Sequence, residues 1–391
     1  MSARVRHVVV VNPVGQIGGA ERSLLELIRA LAGDPRVTVV LPEDGPLRDA
    51  VERAGAASCI LEWPVALRAF GERSGVDRAR AVRAGVTLPQ LCWRLSRLFR
   101  RLGADVVVTN GLKAHIVGAA AARLARVPLV WYLREGLEDR AFSRPILAVA
   151  SRACVGAVAI SHYVEQQWRP VLPRRARIEV LYNIVDRDRF HPRGPCPPDL
   201  AKAEGEIWFG VIGPLTPLKG QDVFVDACGK VASALPEARF LVVGDNLYRT
   251  ETALRFKDEL RERARRQGVG DRVVFLGQRD DVPSILRTLA VVVQPNRGPE
   301  GLGRSVLEAM AAGVPVIAVD RWGPAELIVD GETGLLTPWM DVSALAERMV
   351  RLARHRELRE RLAANARAWV TARIDSAQIA GAFRTFVHSL T

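Results

Sequence analysis

Residues 290–319, AVVVQPNRGPEGLGRSVLEAMAAGVPVIAV, decide how the chain is read. An apolar run stops at Pro295, a loop rich in glycine follows, a helix starts near Arg304 or Ser305, and a second apolar run begins after Gly313. Buried parallel strands look like this, and the helix between them places its unpaired amides and positive dipole end where a phosphate binds well. Glu308 falls about one turn inside that helix, placed to accept hydrogen bonds from two vicinal hydroxyls, as a ribose presents. Glu300 stands at the other lip, available to a second polar ligand. Taken singly, each glutamate reads better as a solvated helix or loop charge.

Moving outward, the same alternation recurs on both sides. In the second half the strands EIWFGVIG, ARFLVVGD and RVVFLG are separated by helical stretches, and a helical tail starts at Val342. In the first half, His7 to Asn12 is an apolar run ending in Asn-Pro, and helical spacing of Leu24, Leu25, Leu27, Ile28 and Leu31 follows before a strand at Val37 to Leu41. Strand, helix, strand is the βαβ unit of a doubly wound sheet. Between the halves, NIVDRDRFHPRGPCPPDLAKAEG carries Pro192, Pro195, Pro197 and Pro198 and few apolar residues, the composition of a linker. The expected organisation is an α/β protein of two Rossmann-like parallel-sheet domains: 1–183, a linker at 184–205, 206–370, and a helix at 371–391 returning to the first domain. Ligands of such sheets lie at the carboxyl ends of the strands, and two domains imply a cleft.

Size and composition narrow the class. The 391 residues exceed one ordinary core, and 49% hydrophobic with 25% charged residues suits a globular protein. The start MSARVRHVVVVNP is too short for a secretory hydrophobic region and reads as a first strand, giving a cytoplasmic expectation. Five scattered cysteines, never as CxxC, argue against a disulfide framework or a zinc site. The net charge of +13 raises nucleic acid or an anionic membrane as a partner. Because 51 of the 56 basic residues are arginine and are spread along the chain, the same excess also fits a compositional bias.

The order Glu300, seven residues, Glu308, then AMAAGVPVIA, GPAELIVDG and TGLL resembles the donor-binding domain of retaining glycosyltransferases of the GT-B fold, family 4. That pattern runs E-x-F-G-x-x-x-x-E-A-M-A-x-G-x-P-V-V-A, then G-G-x-x-E and D-G-x-x-G. Here Leu302 takes the usual Phe position and Trp322 the first glycine of the pair. GPLTPLKG, Gly213 to Gly220, resembles the family's G-R-L-x-x-x-K-G phosphate loop; Lys219 matches its lysine, while Pro214 takes its arginine position and leaves Arg304 or Arg297 as nearest compensating cations. Gly15, Gly18, Gly19, Ala20 and Glu21 resemble the G-x-x-G-G-A-E loop over donor phosphates and acceptor. A dinucleotide fold would use such a loop too, with Glu43 or Asp44 on the ribose, but G-x-G-x-x-G spacing is absent. In VPLVWYLRE, Arg134 replaces the histidine of the family's His-Asp or His-Gly, so a fixed charge for phosphate or for the leaving group is set against a salt bridge to Glu135 or Glu138.

The resemblance implies transfer of a sugar from a nucleoside diphosphate sugar to a hydroxyl-bearing acceptor, with retention by front-face displacement, domain closure over the donor, and no metal. Glu300, Lys219 and Arg134 are the implied catalytic residues. Gly18, Gly19, Gly213, Lys219, Gly301, Leu302, Gly303, Arg304 and Glu308 are the implied donor-binding ones. Asp186-Arg187-Asp188 imitates a D-x-D metal site but matches the family's linker phrase N-G-V-D-x-x-x-F, and His115 and His162 read as packed or solvated histidines.

The acceptor is expected on the first domain, whose segment LPQLCWRLSRLFRRL places Leu88, Leu91, Leu95, Leu98 and Leu102 on one helical face and Arg94, Arg97 and Arg101 on another, with Trp93 and Phe99 flanking. Such a helix fits an anionic leaflet and a lipid-linked or cell-envelope acceptor, which would make the protein peripheral at the inner membrane face; a helix packed on the sheet with a solvated arginine face explains it as well. A GT-B-fold epimerase or phosphorylase is the alternative enzyme, since fold does not fix reaction. A nucleic-acid-binding protein is disfavoured by the lack of interleaved aromatic and basic readout motifs.

Overall fold

The computed structural model describes residues 4–68, 78–138, 143–245 and 251–391. The chain divides into two units, the first made of Met1–Ile184 with Asp375–Thr391 and the second of Val185–Ile374.

The first unit begins with β1 (His7–Val11), α1 (Gly19–Leu31), β2 (Arg36–Leu41), α2 (Pro46–Arg53) and β3 (Ala57–Ile60). It continues through α3 (Val65–Arg68), α4 (Arg78–Leu102), β4 (Val106–Asn110), α5 (Leu112–Ala125), β5 (Leu129–Leu133), α6 (Arg144–Ala150), β6 (Cys154–Ala159), α7 (His162–Trp168) and β7 (Arg177–Val180). All seven strands pair in parallel, in the order β3-β2-β1-β4-β5-β6-β7. Strands β1, β4 and β5 are buried at every residue, which is why their sequences are continuous apolar runs and not alternating ones. The strand order reverses direction at β1, and right-handed crossovers therefore put α1 and α2 on one face of the sheet and α4 to α7 on the other. Ser161 caps α7 through its side chain, which accepts from the amide of Val164.

The second unit contains β8 (Ile207–Ile212), α8 (Gln221–Ala234), β9 (Ala238–Val243), α9 (Glu251–Arg266), β10 (Val273–Gly277), α10 (Val282–Thr288) and β11 (Val291–Gln294). Then come α11 (Arg304–Ala311), β12 (Val316–Val319), α12 (Trp322–Leu327), β13 (Leu335–Thr337), α13 (Val342–Arg354) and α14 (Arg356–Arg373). Its six parallel strands run β10-β9-β8-β11-β12-β13, with the direction of travel reversing between β8 and β11. At its centre Phe209 stacks on Phe240, which Phe224 meets edge to face. The last helix, α15 (Ser376–His388), packs on α1 in the first unit; its Phe386, with Leu390 just beyond it, occupies the space a side chain at Gly156 would need.

One reading changes in detail. The buried face of α4 is Leu91, Cys92, Leu95, Ser96 and Phe99, packed toward α5, while Leu98 and Leu102 are only half-buried. Steps of four residues advance a helix by slightly more than one turn, so Leu91, Leu95 and Phe99 line up and Phe99 belongs to the core instead of flanking it. The part of the basic segment at 69–77 lies outside the described residues. His115 is buried, stacked on Trp131 at 4.7 Å and bonded to Thr109 at 2.7 Å; burial pushes its pKa down to about 3. His162 is exposed beside Glu165.

Candidate donor site and the comparisons

The site in the second unit is assembled at the carboxyl ends of β8 and β11, the two central strands. Gly213, in a left-handed conformation, lies so close to Gly244 that a Cβ on the latter would overlap its carbonyl. The chain then makes a tight turn, Pro217–Lys219, and enters α8 at Gly220, whose φ of 72° and close approach to the carbonyl of Pro295 admit no side chain. From the other side, the amides of Arg297 and Gly298 both donate to the carbonyl of Leu218, at 2.9 and 3.1 Å. The two loops are thus stitched backbone to backbone. Their side chains follow: the Lys219 ammonium forms an ion pair with the Glu300 carboxylate, toward which the buried Asn296 also directs its amide at 3.5 Å.

Gly301 and Leu302 carry the loop inward, Leu302 being fully buried, and Gly303, with φ of 93°, is the N-cap of α11. Arg304 opens that helix, and its guanidinium binds Glu308 one turn on at 2.9 Å, both side chains mostly shielded. Arg297 pairs instead with Asp222 at 2.5 Å. Both cations considered for the Pro214 position therefore already hold a carboxylate. Two carboxylates, two cations and the N-terminus of α11 thus stand on the loops that leave adjacent strands. Such a set can hold a ligand with a hydroxylated ring at each end and anionic charge between.

In the first unit, Gly18 is the N-cap of α1 and Gly19 its first residue; Glu21 supplies half of a capping box, its carboxylate accepting from the Gly18 amide at 3.0 Å. Glu21 is thereby committed to structure. Arg134, just past β5, donates to Asn110 at 2.7 Å and to Asn183 at 3.0 Å and lies over the Tyr132 ring at 3.6 Å. Asn110 in turn donates to Asn12, and Asn12 to the carbonyl of Val14, so three buried asparagines anchor the guanidinium. This network escaped sequence reading, although Asn12 and Asn110 both stand at strand ends. Asp186 accepts from the backbone amides of Asp188 and Arg189, forming a turn. Among the described residues no three His, Cys, Asp or Glu side chains come together as metal ligands.

Residues 196–369 match the family described as Glycosyl transferases group 1, and residues 17–189 the one described as Glycosyltransferase Family 4. The chain belongs to the family 4, group 1 glycosyltransferases. The two matches meet near the boundary between the two units and leave out little besides the ends. Among curated members of the family, the lipopolysaccharide core biosynthesis mannosyltransferase LpsB of Rhizobium meliloti is 34% identical over 177 residues, 43% of this chain and 48% of that protein. A GDP-mannose-dependent alpha-(1-6)-phosphatidylinositol monomannoside mannosyltransferase of Mycobacterium tuberculosis is 33% identical over 224 residues, 54% of this chain and 56% of that one. The matches thus span about half the length of these relatives. Among solved structures, Anabaena Alr3699/HepE in complex with UDP and glucose superposes with a TM-score of 0.82 at 25% identity, covering 99% of this chain and 100% of that one. Two parallel-sheet Rossmann-like units of the GT-B class are therefore the fold.

Proposed function

We propose that the protein transfers a sugar from a nucleoside diphosphate sugar to a hydroxyl-bearing acceptor, with retention at the anomeric carbon. The observation that carries this is the convergence of Lys219–Glu300 and Arg304–Glu308 around the head of α11. Glu308 accepts the ribose diol, Lys219 and the amides of Arg304 and Ser305 neutralise the diphosphate, and Glu300 with the Gly301–Gly303 backbone holds the sugar. The carboxylates bind hydroxyls here and do not form an acid–base pair. No side chain in this set is a free nucleophile, which favours displacement in which the leaving phosphate takes the acceptor proton. Lys219 and the helix amides supply the charge compensation that a divalent metal would otherwise give, so the reaction runs without one. Arg134, held in a fixed orientation, and the Gly18–Gly19 turn are assigned to phosphate-bearing reactants.

The named relatives act on lipopolysaccharide core and on a phosphatidylinositol mannoside, and a family member from Escherichia coli on a diphosphoundecaprenol acceptor. A lipid-linked or cell-envelope acceptor is the reading this supports. It agrees with one face of the first unit: its exposed large hydrophobics among the described residues, Val65, Val86, Trp93, Leu124, Ile146 and Val149, all lie on α3 to α6. Those four helices carry no acidic residue, and Arg97 lies over the Trp93 ring at 4.8 Å. No described helix is long and apolar enough to cross a membrane.

The test is product analysis with UDP-glucose, UDP-galactose and GDP-mannose in the presence of EDTA, with the anomeric configuration of the glycoside read by NMR. Transfer with retention supports the proposal. Conversion of the sugar nucleotide without acceptor, or a requirement for free phosphate, identifies an epimerase or a phosphorylase.

A further inference from the structure

Trp322 opens α12 with φ of 60°, in the left-handed region that bulky side chains avoid at a cost of about 1–2 kcal/mol. Strain of this kind persists where the surroundings impose it, often beside a ligand. The surroundings here are explicit. The next residue, Gly323, donates its amide to the carbonyl of Glu300 at 3.0 Å, and a Cβ at Gly323 would overlap the backbone of Gly301 and Leu302. The left-handed turn at Trp322 is what delivers Gly323 to the Glu300 loop. A glycine at 322 would make that turn without strain, so the indole itself needs a reason.

The indole has company. Trp339, two residues past β13, meets Trp322 edge to face at 6.4 Å between ring centroids, and its Nε1 donates to the carbonyl of Arg297 at 3.2 Å. Arg321 lies against the Trp339 ring at 4.9 Å, and 42% of Trp339 remains exposed. Two indoles therefore join the loops that leave β11, β12 and β13, forming an aromatic ledge on the chain segment bonded directly to Glu300.

We propose that Trp322 and Trp339 form a sugar-binding ledge that sets which hexopyranose the protein accepts on its donor. This deepens the proposed function and rests on it. A pyranose has two unlike surfaces: hydroxyls around its edge and a face of C–H bonds. Glu300 suits the first, an indole the second, and a site with both distinguishes epimers that turn a hydroxyl from the edge onto the face. Arg321 covers part of the Trp339 ring, and Arg297 is held away from it by Asp222 at 2.5 Å.

The experiment compares Trp322→Gly and Trp339→Phe with wild type by calorimetric titration of UDP, GDP, UDP-glucose, UDP-galactose and GDP-mannose. Trp322→Gly removes backbone strain, so the variant should fold with a melting temperature at or above wild type. Its affinity for the nucleoside diphosphate should be unchanged, while the added affinity from the preferred sugar falls about tenfold and discrimination between UDP-glucose and UDP-galactose collapses. Trp339→Phe keeps an apolar face and should lose only part of it. Unchanged sugar discrimination in Trp322→Gly, with nucleoside diphosphate still bound, overturns the ledge alone. Failure of wild type to bind any of the five overturns the donor reading and the ledge with it.

Discussion

The amide of Gly323 donates to the carbonyl of Glu300 at 3.0 Å, and nothing larger than glycine fits between the two loops. Glu300 is therefore held from two sides, through its backbone by the loop after β12 and through its carboxylate by Lys219. Gly323→Ala should force these loops apart. We expect a loss of about 1–3 kcal/mol, the usual cost of inserting a methyl group into a packed site, and at least a hundredfold fall in turnover. Chemical denaturation and steady-state kinetics on the same preparation check both.

Glu308 and Glu300 should fail differently. Glu308→Ala should weaken nucleoside diphosphate binding tenfold or more, because a diol loses both acceptors at once. Glu300→Ala should leave nucleoside diphosphate affinity within a few-fold of wild type while kcat for the sugar donor falls by two orders of magnitude. Titration with UDP and GDP, set beside transfer kinetics, separates the two; wild-type behaviour in both variants removes the site assignment.

His115 gives a pH dependence with a definite sign. Burial holds its folded pKa at about 3, below the ordinary histidine value, so the folded state keeps it neutral while the unfolded chain takes up a proton. Its contribution is fully present above the unfolded value of about 6.5 and is lost as pH falls toward 3, at about 1.4 kcal/mol per pH unit. Denaturation midpoints at pH 7.5 and 5.0 should show the loss, and His115→Gln, which keeps a partner for Thr109, should flatten the slope below pH 6.

The cationic face of the first unit predicts binding to anionic vesicles. Co-sedimentation with phosphatidylglycerol vesicles at low salt should be strong, should weaken steeply as salt is raised, and should drop several-fold when Trp93→Ala is combined with Arg97→Gln. Absence of binding at low salt removes the membrane as a partner.

Much of the fold was legible because parallel strands buried on both faces are continuous apolar runs. HVVVV, VVVTN and LVWYL could hardly be anything else, and the glycine–helix units between them fixed the α/β class. In the site, the one-turn spacing of Arg304 and Glu308 is a property of a helix and could be read directly. The meeting of Lys219 with Glu300 could not, since it depends on how two loops 81 residues apart are bonded to each other through Leu218. Phe99 was misplaced because the packed face of α4 is centred toward Cys92 and Ser96, away from Leu98 and Leu102, which the leucines alone do not reveal. Trp322 stood out only as a departure from glycine; its left-handed backbone, and the reason a glycine suits that position, belong to the tertiary contact with Gly301 and Leu302.

The most direct test of the donor site is a thermal-shift panel of UDP, GDP and their sugars, run on wild type and on Glu308→Ala. A ligand that binds only the folded protein at a hundred times its Kd adds about 2.7 kcal/mol and raises the melting temperature measurably. The account predicts that at least one nucleoside diphosphate and its sugar do so in wild type and that the shift falls to about half or less in Glu308→Ala. No shift with any of them, or an equal shift in the variant, would contradict it.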